Sequence, residues 1–69
     1  MVEVFKTNVE QPEHSEVLIG QLINRIPNSQ INFDLEDCDR ILRIEAESVS
    51  TQLIIEILHR NGYQAEVLI

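Results

Sequence analysis

Only one cysteine, Cys38, stands among the 69 residues. A single thiol makes no internal disulfide, so the fold does not rest on an oxidising compartment. Tryptophan is absent, and the only glycines are Gly20 and Gly62. Two isolated glycines build no Gly-rich loop of the kind that cradles phosphate. Basic residues are scarce: five Lys and Arg stand against twelve Asp and Glu, a formal net charge of −7. That balance repels a phosphate backbone and an anionic lipid surface, which argues against nucleic acid and membrane as partners. It is compatible with cations or a basic protein patch, and it also keeps a small domain in solution. The N-terminal Met1-Val2-Glu3-Val4-Phe5-Lys6 has no basic segment followed by an apolar run. No secretory leader and no membrane span are therefore expected, and a cytoplasmic address is the default.

What is present describes a globular chain. Hydrophobic residues, mostly aliphatic, make up 43% and charged residues 25%. The length suits one domain over residues 1–69. A domain of this size buries only about 60% of the surface its unfolded chain exposes, so its stability is modest.

Residues 2–7 read as a first strand, although Phe5 breaks the alternation begun by Val2, Glu3 and Val4. Pro12 suits the first turn of a helix, and Glu10, Glu13 and Glu16 place negative charge near its positive end. Val17, Leu18, Leu22 and Ile26 recur at helical spacing, with Ile19 and Ile23 widening the stripe. Pro27-Asn28 ends that helix. Residues 30–35 alternate, with Ile31, Phe33 and Leu35 on one face. Glu36-Asp37-Cys38-Asp39 is a polar turn. Residues 40–46 form a third strand with Leu42, Ile44 and Ala46 inward. Ser48 or Ser50 caps a second helix whose apolar face is Leu53, Ile54, Ile57 and Leu58. Glu56 and Arg60 stand i, i+4 in the favourable order. Gly62 suits a left-handed position after the helix, and residues 63–69 form a last strand, alternating at Ala65, Val67 and Ile69.

The order is β-α-β-β-α-β. A weak repeat supports two similar halves: Leu18, Ile19, Leu22, Ile23 and Arg25 match Leu53, Ile54, Ile57, Leu58 and Arg60 in spacing. Two such halves predict an α+β, ferredoxin-like sandwich, with two helices on one face of a four-stranded antiparallel sheet in the order 4-1-3-2. Up-down tracing brings the loop after the first strand, the Cys38 turn and the Gly62-Tyr63 turn to one end. Candidate functional residues are sought there.

The element order, the spacing from the first loop to the helix and the ending Ile54-Ile55-Glu56-Ile57-Leu58-His59-Arg60-Asn61-Gly62-Tyr63 resemble the heavy-metal-associated domain of copper chaperones and metal-transporting ATPases. The resemblance covers nearly the whole chain. That family holds metal on a Gly-Met-x-Cys-x-x-Cys segment. The matching positions here are Asn8-Val9-Glu10-Gln11-Pro12-Glu13-His14, with Gln11 and His14 where the two cysteines would stand. Two thiolates make a soft, nearly linear Cu(I) site, and an amide plus an imidazole do not replace them. The resemblance implies a metal-handling ancestry, and the loop argues against the usual metal chemistry.

His14, with Glu10 or Glu13, is the candidate for a divalent metal, weighed against a solvated histidine in a first helical turn. Cys38 lies at the same end and is a further candidate ligand, in a site shared with His14, but the third strand lies between the first and second and sets them about 10 Å apart. An inert turn thiol is its plainer reading. His59, near the end of the second helix, reads as exposed beside a favourable dipole. Ser15, Ser48 and Ser50 are first-turn or capping residues and lack a Ser-His-acid arrangement. Acylphosphatases share this fold type but need an anion-binding loop, and Glu10 and Glu13 would repel phosphate. On the sheet's second face, Phe5, Ile41 and Leu68 are expected side by side as an apolar contact patch among polar Gln30, Asn32, Asp34, Arg43, Glu45 and Glu66.

The leading expectation is a small non-enzymatic binding module, without a required cofactor, that acts by protein–protein contact or self-association. Two alternatives stand beside it. One is a metal-binding or transport protein using His14 and its acidic neighbours. The other is a small-molecule regulatory module that pairs into dimers and binds ligand at the seam.

Overall fold

A computed structural model describes residues 1–68; Ile69, expected on the last strand, lies outside the described residues. The elements are β1 (Val2–Thr7), α1 (Pro12–Arg25), β2 (Gln30–Asp34), β3 (Ile41–Glu45), α2 (Thr51–Arg60) and β4 (Ala65–Leu68). The strands form one antiparallel sheet in the order β2-β3-β1-β4, and the helices pack on one face. This is the α+β arrangement that the apolar periods predict, consistent with a ferredoxin-like sandwich. No helix among the described residues is long and apolar enough to cross a membrane.

Side-chain alternation puts one row of each strand beneath the helices. Phe5, Leu42 and Phe33 lie side by side across β1, β3 and β2, and Phe5 also faces Val67 on β4. Phe5, Leu42, Ile44, Leu18, Leu22, Ile54 and Leu58 are sealed from solvent. The expectation that Phe5 faces outward is thus corrected. Its cross-strand neighbours Leu42 and Val67 belong to the row facing the helices, and a residue paired between them points the same way. Counting alternation from Val2 and Val4 identifies the outer row of β1. Val4, paired with Leu68, takes the outward place, and Ile41 and Leu68 do lie on that open face, both half-buried.

The helices are bounded by local chemistry. Pro12 opens α1, and the Gln11 carbonyl accepts from the His14 and Ser15 amides. The buried stripe of α1 is narrower than its sequence suggests. Leu18 and Leu22 are buried and Ile19 and Ile26 half-buried, while Val17 and Ile23 are exposed. At α2 it is Ser50, not Ser48, that caps, accepting the Leu53 amide at 3.3 Å. Gly62 takes φ +87° after α2, the left-handed geometry that favours glycine. A reciprocal amide pair ties the helices together. Asn61 Nδ2 donates to Gln21 Oε1 at 2.8 Å, and Gln21 Nε2 donates to Asn61 Oδ1 at 3.2 Å.

Candidate functional site

Three segments meet at one end of the sheet, as tracing the strands predicts. Thr7 is the pivot. Its Oγ1 donates to the Arg40 carbonyl at 2.6 Å and accepts the Val9 amide at 3.2 Å, while its amide donates to the Asp39 carbonyl at 3.0 Å. Those bonds join the end of β1 to the β2–β3 turn. Arg40, on that turn, sits at φ 47°, a left-handed conformation uncommon for a non-glycine residue. One residue on, Asn8 Oδ1 accepts the Gln64 amide at 2.8 Å and ties the same loop to the start of β4. Val9 then plunges into the core with no exposed surface.

His14 projects from the first turn of α1 toward the turn after α2. Its Nδ1 lies 2.5 Å from the Tyr63 hydroxyl, with the rings inclined at 50° and their centres 6.0 Å apart. One imidazole nitrogen is therefore engaged, and only Nε2 remains for any other partner. His14 itself is exposed, as are Glu10 and Glu13.

Among the described residues, three metal-ligating side chains come within 4.8 Å of one another only at Asp37, Cys38 and Asp39. These are chain neighbours on a tight turn. The Asp37 carboxylate accepts the Asp39 amide at 2.9 Å, the signature of an Asx turn, so turn geometry accounts for the cluster. His14, Glu10 and Glu13 do not join it. Cys38 is exposed and unpaired among the described residues. The structure thus brings His14 and Cys38 to the same end of the sheet without making one site of them.

The larger opening lies beside them. A groove of about 440 Å³ runs along the outer side of α2 and the start of β4, where Ile55, His59, Tyr63 and Ala65 line it together with the charged Lys6 and Glu66. Ile55 is 36% exposed there, and Ala65 and Val67 are half-buried although they belong to the row facing the helices. β4 is the outer strand on this side. Sequence reasoning missed this groove because Ile55 reads as one more apolar residue in an amphipathic helix. Its position one turn before exposed His59, on the side turned away from α1, was the available signal.

No protein family, curated protein or solved structure matches the chain in sequence or fold comparison.

Proposed function

We propose that the chain is a small non-enzymatic binding module, of heavy-metal-associated type but degenerate at the metal loop, that works by contact with another protein. The observation that carries this reading is the engagement of His14. Its Nδ1 meets the Tyr63 hydroxyl, and it belongs to no group of three described His, Cys, Asp or Glu side chains close enough to share a metal. The loop that would hold metal in the resembling family acts here as a clasp joining α1 to the turn before β4.

The kinship is supported by element order and by two details of that loop. Val9, at the apolar position of the family's motif, is wholly buried and anchors the loop. The Gly62-Tyr63 close faces the residue at the second cysteine position. Contact with a protein is favoured by the half-open groove beside β4 and by a net charge of −7, which steers basic partners. In the cytoplasm, the expected compartment, Cys38 stays a free thiol.

Calorimetric titration of the tag-free chain with Zn(II), Cu(II) and Cu(I) tests the reading. The expected result is no site tighter than about 1 mM, or about −4 kcal/mol. A stoichiometric site that His14→Ala abolishes would replace the contact module with a metal binder.

A further inference from the structure

Resting on the reading of the chain as a protein-contact module, we infer that β4 is the docking edge. The occupant is an extended segment of another protein, alternating apolar and basic residues, that adds to the sheet as a fifth strand. Four observations converge on it.

The first is the unpaired edge. β4 pairs with β1 on one side and with nothing among the described residues on the other. Outer strands of stable domains are commonly blunted by Pro, by bulges or by lysines. Ala65-Glu66-Val67-Leu68 has none of these; it is short, at 4 residues, and its one charged side chain, Glu66, is an edge device that a basic partner would neutralise. The second is the groove. A strand laid beside β4 would place alternate side chains beneath the outer side of α2, where Ile55 and Ala65 line the groove with incompletely buried apolar surface. This is the division of labour in strand addition: main-chain bonds hold the segment, and pockets for alternate side chains select it.

The third observation is charge at the rim of the groove, where Glu66 and Lys6 both stand. Glu66 is exposed on the open side of β4, so an incoming residue opposite it meets a carboxylate. Its neighbour across the sheet, Lys6, offsets this only in part, because Lys6 Nζ also lies 3.8 Å from Asp39. A Lys or Arg suits that position. The fourth is the field of the whole chain. Two copies bearing −7 each repel, whereas a basic segment is drawn in. The charge therefore favours a foreign basic strand over a second copy of this chain.

The test is a nuclear magnetic resonance titration of the isotope-labelled chain with acetyl-Val-Lys-Val-Lys-Val-Lys-amide. The corresponding Val-Glu peptide and two N-methylated forms serve as comparisons. One form is methylated on the Val amides and the other on the Lys amides. In an extended strand these two sets of amides point to opposite edges. The expected result is amide shifts confined to β4 and to residues 55–59, with protection of β4 amides from exchange. One methylated form should lose binding while the other keeps it, and the Val-Glu peptide should not bind. Glu66→Lys, a surface change that leaves the core untouched, should weaken the Val-Lys peptide roughly fivefold, the size of reversing one cross-strand charge pair. Absence of binding at about 1 mM peptide, equal loss from both methylated forms, or shifts confined to Val4, Ile41 and Arg43 on the open face would each overturn the proposal. So would concentration-dependent dimerisation through β4 in the absence of peptide. These outcomes are separate from the metal titration, which judges the contact-module reading itself.

Discussion

The Tyr63 hydroxyl and His14 Nδ1 lie 2.5 Å apart across 49 residues of chain. The contact joins the first turn of α1 to the segment entering β4. An exposed hydrogen bond contributes little to stability, so Tyr63→Phe should cost at most about 1 kcal/mol. It should still move the ring resonances of His14, because the Nδ1 partner is lost. Unchanged His14 ring signals would mean that the contact is not made in solution.

Thr7 bears more of the load. Thr7→Val keeps the shape but leaves the Arg40 carbonyl and the buried Val9 amide without their partner. A cost of about 2 kcal/mol is expected, and Thr7→Ser should recover most of it. Urea unfolding checks this as a fall in midpoint at constant slope.

Phe5 and Val4 provide a test of the sheet's facing. Phe5→Ala should destabilise by about 3–5 kcal/mol, a large part of the about 5–15 kcal/mol of a typical domain. Val4→Ala, on the open face, should cost well under half of that. Comparable losses at the two positions would contradict the assignment of Phe5 to the core.

Gly62 separates strain from sterics. An added Cβ would meet nothing within 4 Å, yet the residue sits at φ +87°. Gly62→Ala should therefore cost about 1–2 kcal/mol through backbone conformation alone. Thermal melts read that as a drop of several degrees for a domain of this size. An unchanged melting temperature would show that the turn relaxes out of the left-handed region.

Much of the fold was legible because its signals are local and repeated. The Leu18–Leu22 and Ile54–Ile57–Leu58 spacings, Pro12 and Gly62 each mark an element or its boundary, the Ser48/Ser50 pair marks the start of α2 without choosing between them, and the alternation in Ile31 and Phe33 marks β2. The facing of β1 was not legible from β1 itself. Val2, Val4 and Phe5 are all apolar, and only the registers with Leu42 and Val67 decide between them. The loop end was legible as a place but not as a mechanism. That Gln11 and His14 do not form a thiolate pair is plain in the sequence. That Thr7, Asn8 and Tyr63 knit the end together depends on hydrogen bonds between residues far apart in the chain. The groove beside β4 arises from where α2 lies over the sheet, which no single segment encodes.

The central claim is that this module takes a protein strand at β4 and not a metal at its first loop. One amide-resolved titration series tests it most directly, with Cu(I) and then the Val-Lys peptide added to the same labelled chain. The account predicts that Cu(I) leaves residues 8–15 unmoved and that the peptide shifts β4 and residues 55–59. Saturating shifts at Gln11 and His14 with Cu(I), together with a silent β4 when the peptide is added, would contradict it.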